Sequence, residues 1–347
     1  MHSAQCRLLI LACAAACSTA ADAPALVSRI REHMREYIAH LPDYTCRITL
    51  ERFTRLKPRT PFDLGDRLRL EVAYTGGQEL YSWPGDDRFE SGIEALLPGH
   101  GMVSNGSYAL HVRSLFLRDV AEFAPPQEEK CDQLPCVRLD FHISALRSGY
   151  ALSAGGGSAP APLEGSAWFD TASLDIVRLE VRVDEAPRSV RIAATRETTL
   201  YQRARIGDVE FVVPAMSELM LRDRDGSEML NRSHFDHYRR FAGSSTVSYG
   251  PAGDTPAPTT PAPVERPARQ RVDRQLTASL DTGIPSDAAI GDTFAATTAD
   301  GEHLTGRITG LRRAGKSWMV DLMLSGMVRR SLLLPLKPAV KLTWKIE

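Results

Sequence analysis

The chain is predicted to be mainly β with a few helices, an α+β protein whose small C-terminal β unit follows a proline-rich spacer. Three observations predict this. Apolar residues alternate with charged ones along several segments, an amphipathic helix precedes them, and six prolines crowd residues 250–270. Strict alternation is the period of a strand with one packed and one wet face, and sheets of that kind are usually antiparallel.

At 347 residues the chain is long enough for two cores. Its 43% apolar and 24% charged content is that of an ordinary globular protein. A net charge of −1 gives no basic excess, so no nucleic-acid partner is expected. Residues 271–347 carry a net +3 against −5 for residues 21–249, a difference that a solvated surface accommodates.

The first residues read as an export signal. A short leading region ends at Arg7, an apolar run covers Leu8 to Ala16, and small residues follow from Cys17 to Ala21. Cleavage is expected after Ala20 or Ala21, making 1–21 a signal peptide. The stretch Ala14-Ala15-Ala16-Cys17 loosely resembles a lipobox, so a lipid anchor at Cys17 is a minority alternative. The apolar run is shorter than the roughly 20 residues that span a bilayer, so no transmembrane segment is expected once it is removed.

Removal of that segment leaves Cys46, Cys131 and Cys136 as disulfide candidates, with three possible pairings. The short, turn-like Cys131-Asp-Gln-Leu-Pro-Cys136 loop favours a local bridge. Nothing in the cysteine and histidine spacing supplies a zinc set, and no metal or other cofactor is expected.

Along the remaining chain, Leu26, Ile30, Met34, Tyr37, Ile38 and Leu41 form one apolar stripe, predicting a helix over 24–41 that Pro42 stops. Residues 66–72, 177–183, 209–213 and 218–221 alternate as strands, the clearest being Val177 to Asp184. Residues 107–123 have helical spacing at Leu110, Leu115, Phe116, Val120 and Phe123. The stretch 153–162, with Gly155-Gly156-Gly157 and two prolines, predicts a mobile loop. Residues 250–270 predict an extended spacer that could reach roughly 60 Å, with few contacts crossing between the parts it joins. In the tail, Trp318 to Leu324 and Val340 to Ile346 alternate again, enough for a small barrel or sandwich.

Two stretches, Leu41-Pro42-Asp43-Tyr44-Thr45-Cys46 and Gly165-Ser166-Ala167-Trp168-Phe169-Asp170, carry a family resemblance. So do Gly77-Gln78-Glu79-Leu80-Tyr81-Ser82-Trp83-Pro84-Gly85 and Asn231-Arg232-Ser233-His234-Phe235. With them the chain looks like a group of exported bacterial proteins whose main domain is similar to the periplasmic lipoprotein-carrier (LolA/LolB-like) fold. The resemblance implies an antiparallel half-barrel wrapped around helices, whose concave apolar face holds acyl chains. Some members of the group carry a further cysteine where Tyr238 stands here, a departure that bears against a long-range disulfide. Residues 276–347 resemble a small β module appended to several such proteins, through Ile290-Gly291-Asp292-Thr293-Phe294 and Gly306-Arg307-Ile308. The organisation is then a signal peptide at 1–21, a carrier-like β domain at 22–249, a linker at 250–270 and a separate small β domain at 271–347.

Few residues offer chemistry. Asp281-Thr282-Gly283 is the triplet of aspartic proteases, in which two aspartates share a proton. It occurs once here and is followed by Ile284-Pro285. His234 and His237 have the spacing of metal ligands on a helix but no third ligand nearby. No catalytic residue is therefore assigned, and the chain is not expected to be an enzyme. Tyr44, Tyr81, Trp83 and Trp168 are candidates to line a ligand cavity, since such rings combine apolar area with a polar tip. The expected function is a non-enzymatic binding protein of the bacterial periplasm or outer envelope, holding a lipid, an acyl chain or a lipidated partner. The alternative is a structural or assembly module that meets an envelope protein through its C-terminal domain.

Overall fold

The structure, a computed structural model, describes residues 14–86, 88–90, 93–96, 107–154, 157–241 and 275–345. The leading residues of the signal segment, the side chain of Cys17 and the spacer at 250–270 lie outside the described residues.

The chain opens with helix α1, Ala14–His40. It begins earlier than the predicted 24, because the alanine-rich run before Pro24 has the highest intrinsic helix propensity and continues the same helix. Strands follow: β1 Tyr44–Arg55, β2 Asp63–Thr75 and β3 Gln78–Ser82. A wide helix of π type runs over Ser107–Leu117. The apolar spacing continues to Phe123, but the helix stops earlier, and Glu122–Phe123 form a short strand β4 paired to β6. Next come β5 Gln127–Cys131, β6 Leu134–Ile143, β7 Ala151–Ala154 and β8 Gly157–Pro160. The predicted loop at 153–162 is thus partly a hairpin, held because Leu152, Ala159 and Ala161 are buried against Val183 and Val190.

Five long strands complete the main part: β9 Leu163–Asp170, β10 Ile176–Val183, β11 Ile192–Ile206, β12 Val209–Asp223 and β13 Glu228–Arg240. The two strand segments predicted at 209–213 and 218–221 are one strand. Pro214 does not break β12, because it lies at a register shift where the ladder is already interrupted. All pairings are antiparallel, in the order β3-β2-β1-β13-β12-β11-β10-β9-β6-β4 with β5 on β6, an eleven-stranded sheet.

The alternating patterns place Leu50, Leu70, Leu139, Ala167, Phe169, Leu179 and Val181 on one face, called here the inner face. Ile30, Met34 and Ile38 of α1 and Val112, Leu115 and Phe116 of the wide helix pack into the same core cluster. The Phe116 ring meets Phe169 edge-on at 5.7 Å and stacks on Phe123 at 5.9 Å. Gly165 in β9 is required by this packing, since a Cβ there would lie 1.8 Å from the Glu180 carbonyl and 2.7 Å from the Phe141 ring.

The tail closes into a barrel of β14 Gln275–Leu280, β15 Thr293–Thr298, β16 His303–Ala314, β17 Ser317–Leu324, β18 Met327–Leu333 and β19 Lys341–Lys345. Of the two expected forms, barrel and sandwich, it is the barrel. Trp344 fills it, fully buried and stacked on Phe294 at 6.4 Å.

The barrel is not held only by its spacer, which corrects the expectation of few crossing contacts. β3 pairs with β2 only from Glu71 to Thr75, leaving the rest of that edge of β2 open. Ile290 fills part of it: its N–H donates to the Arg67 carbonyl at 2.8 Å, and the Arg69 N–H donates to its carbonyl at 2.8 Å. Covering an open edge satisfies backbone groups that would otherwise invite pairing with another chain.

Candidate functional site

The inner face at the β1–β3 end carries a cluster of tyrosines. Tyr44 stacks on Tyr74 at 5.2 Å and lies 5.4 Å from the Tyr238 ring. Ladder register places Cys46, Val72 and Tyr81 in one row and Tyr44, Tyr74 and Glu79 in the next. Tyr81 donates its hydroxyl to Glu79 at 2.9 Å, and Tyr238 donates to the Pro214 carbonyl at 2.7 Å. Tyr37 of α1 donates to the Val212 carbonyl, so the helix is tied to the sheet by a polar contact as well as by packing.

Electrostatics keep this cluster protonated. Burial, then the neighbouring Tyr238, pushes the Tyr44 hydroxyl well above the usual phenol range. Burial does the same for Tyr238, with Cys46 next in effect. The Cys46 thiol, hydrogen-bonded to Tyr238, is pushed far up by burial and then by the Glu79 charge. A thiol so held is no nucleophile.

Of the four predicted ligand-lining aromatics, the structure brings Tyr44 and Tyr81 together and separates the other two. Trp168 lies on the opposite face of β9, in register with Arg138 and Arg178. Its Nε1 donates to Glu129 at 2.8 Å, and the Arg178 guanidinium sits 4.6 Å from its ring. The motif Gly165-Ser166-Ala167-Trp168 could not reveal this, because alternation fixes which residues share a face but not which face is covered. Trp83 lies at the barrel instead. A Cβ on Gly291 would lie 2.7 Å from the Trp83 ring, and the Arg307 guanidinium stands 5.9 Å from the ring centroid. Tyr74, Glu79 and Tyr238 are neighbours that sequence reasoning missed; their strand positions relative to Tyr44 were the available signal.

Cys131 and Cys136 form a disulfide across the β5–β6 hairpin, with Cα atoms 5.8 Å apart. Cys46 is buried and free.

His234 and His237 lie on strand β13, not on a helix, and His237, at a register shift with a φ of 55°, is engaged by Asp236 at 2.7 Å and by Arg47. Among the described residues, no group of three metal-binding side chains occurs. Asp281 accepts the Thr297 hydroxyl at 2.6 Å and lies 3.8 Å from His303. That is a carboxylate bonded to a threonine, with the geometry of a surface turn rather than of a shared-proton dyad.

A small cavity of about 260 Å³ lies between sheet and barrel, lined by Arg47, Arg69 and Glu71 on one side and Ile284, Asp292 and Phe294 on the other. Its charged walls are paired, Arg69 with Asp292 and Arg47 with Asp236. No helix among the described residues is long and apolar enough to cross a membrane.

No protein-family model matches the chain, and no curated protein matches it. Solved structures do. A LolA-superfamily protein from Nitrosomonas europaea is similar at a TM-score of 0.31 and 11% identity, covering 62% of this chain and 94% of that chain. A putative outer membrane lipoprotein-sorting protein domain from Vibrio parahaemolyticus gives 0.31 and 12%, covering 62% and 93%. A DUF1329 family protein from Desulfovibrio piger gives 0.31 and 12%, covering 63% and 95%.

Proposed function

We propose that this is a non-enzymatic binding protein, exported to the periplasm or envelope of a bacterium, that holds an acyl chain or a lipidated partner on the inner face of its sheet. The observation that carries the reading is the nature of the cover on that face. The strands β1 and β2 on one side and β6, β9 and β10 on the other turn apolar side chains into one core cluster, and what packs on it is helical: α1 and the wide helix Ser107–Leu117. A π-type turn is rare and is frequently found at functional positions. A sheet covered by helices could exchange helical side chains for a hydrocarbon chain at little cost, since both are apolar. Tyr44 and Tyr81 stand at the end of this surface, where their rings extend its apolar area.

Mass spectrometry of organic extracts from natively purified protein tests the reading. A reproducibly co-purifying lipid or acylated peptide is expected. Clean extracts from several independent preparations, alongside a folded protein, would sink it.

A further inference from the structure

The small positive excess of the tail is gathered by the barrel onto one side. Residues 325–345, which contain β18, β19 and the connection between them, hold five basic side chains and no acidic one. All five, Arg329, Arg330, Lys337, Lys341 and Lys345, are exposed. The barrel's carboxylates, among the described residues, lie elsewhere. Asp281, Asp287 and Asp292 stand between β14 and β15, Asp300 and Glu302 in the turn before β16, and Asp321 on β17. Asp321 is taken up by Arg312 at 3.0 Å and by the Ser331 N–H at 2.7 Å. No carboxylate among the described residues pairs with Arg329, Lys341 or Lys345.

Closure of the barrel decides where this charge stands. In the order β14-β15-β16-β17-β18-β19, β18 is across the ring from β15, and β19 from β16. The main sheet is met by Ile290 and Asp292, which lead into β15, and by Arg307 on β16. β18 and β19 are therefore on the side turned away from it. Apolar side chains share that side. Among the described residues, the large hydrophobics that the barrel leaves exposed are Met323, 38% exposed on β17, and Leu333, 58% exposed on β18. Ladder register sets Met323, Val328 and Lys345 in one row. Their neighbours Leu322, Leu324 and Trp344 are fully buried inside the barrel, so Met323 and Lys345 face out together.

We propose that the β17–β19 side of the barrel rests on an anionic lipid surface, with Arg329, Lys341 and Lys345 at the level of the phosphates and Met323 and Leu333 entering between the headgroups. Lysine and arginine suit such a boundary, since their stems lie along apolar matter while the charged heads stay with phosphate and water. Unpaired cations are drawn to an anionic leaflet, and each adds to the attraction. A polyanion without an apolar layer would account for the cations but would leave Met323 and Leu333 in water. The outer wall of a closed barrel is convex, which fits a broad deformable surface better than a single extended peptide. This side of the barrel is separate from the inner face of the main sheet, so membrane docking stands or falls without the lipid-holding role.

The test is co-sedimentation of the full chain with vesicles of phosphatidylcholine alone and of phosphatidylcholine mixed with phosphatidylglycerol. The wild type is expected to partition onto the mixed vesicles at least about tenfold more strongly than onto the neutral ones, and added salt should reduce the difference. Lys341→Gln/Lys345→Gln should lower that partitioning by about tenfold or more. Arg188→Gln/Arg205→Gln, the same charge change at exposed positions of the main sheet, should leave it within about twofold. Met323→Ser/Leu333→Ser should weaken binding while keeping its salt dependence. Equal partitioning of the wild type onto both vesicles, or no loss in the lysine variant, would overturn the proposal. An equal loss in the main-sheet variant would reduce the effect to net charge and overturn it too. Undiminished binding of Met323→Ser/Leu333→Ser would make the surface a plain cation patch for any polyanion, and the lipid assignment would fall. Lipid extracted from the natively purified lysine variant should match that from the wild type, which keeps this result distinct from the fate of the inner-face site.

Discussion

Arg69 on β2 grips Asp292 in the barrel, one guanidinium nitrogen lying 2.6 and 2.7 Å from the two carboxylate oxygens. Asp292 also accepts the Ala289 N–H at 2.9 Å, so the same carboxylate shapes the turn that presents Ile290 to the edge of β2. Beside it, Arg307 holds Asp86 at 2.9 Å through Nη1 and covers Trp83. The barrel is therefore docked by backbone, charge and ring contacts within a few residues.

Gly291 is the point at which docking can be broken with least collateral damage. Its φ of +100° is outside the range that other residues adopt easily, and a Cβ would lie 2.4 Å from the Arg69 carbonyl. Gly291→Val should release the Arg69 and Ile290 amides to rapid hydrogen exchange while barrel amides such as that of Leu322 stay protected. Arg69→Ala should weaken the same contact by roughly 2 kcal/mol, the scale of a hydrogen bond to a charged group. Unchanged exchange at both amides in Gly291→Val would show that the docking is not as described.

Trypsin should first cut after Arg269 or Arg271, in the proline-rich sequence between the two parts. Because the barrel is docked, the two fragments should co-elute in size exclusion and separate only with denaturant or in Gly291→Val. Fragments that part immediately would contradict the interface.

Thiol chemistry should divide the cysteines sharply. The Cys131–Cys136 bridge closes a very short loop, so its reduction should cost about 2 kcal/mol on the chain-entropy estimate. Cys46, 4% exposed and with its thiol pKa pushed up by burial, should resist iodoacetamide at pH 8 until the protein is unfolded. Denaturant curves with and without reductant give the first value. Mass spectrometry of alkylated protein gives the second, and fast native labelling of Cys46 would refute the buried assignment.

Alkali should destabilise the fold in a defined window. Tyr44, Tyr201, Tyr238 and Cys46 all have raised pKa values in the folded state, chiefly through burial. The unfolded chain then loses protons at lower pH than the folded one, so stability is full below the unfolded values and falls as pH rises past them. Those values are about 8.5 for the thiol and about 10 for the phenols. Stability should be level to about pH 8 and fall steeply beyond about pH 10. Tyrosinate absorbance at 295 nm should rise together with loss of the far-ultraviolet signal; ionisation of all the tyrosines well before unfolding would contradict the burial.

The sequence by itself determined the strand content, the N-terminal helix stripe and the division into a larger and a smaller β part. These follow from side-chain periodicity, which is a local property: residues two apart share a face of a strand, and residues three and four apart share a face of a helix. It also singled out Tyr44, Tyr81, Trp83 and Trp168 as candidates to line a cavity, without saying which of them lie together. Only the tertiary structure decided which face each aromatic occupies, because alternation is symmetrical between the two sides of a sheet until something covers one of them. Hence Trp168 looks outward among Arg138 and Arg178, although its strand pattern is the same as that of a ligand-facing residue. Only the tertiary structure placed Met323 and Lys345 in one row, since cross-strand register joins residues far apart in the chain. The docking of the barrel was equally hidden: it depends on an edge of β2 that β3 is too short to cover, and no local pattern records the length of a neighbour.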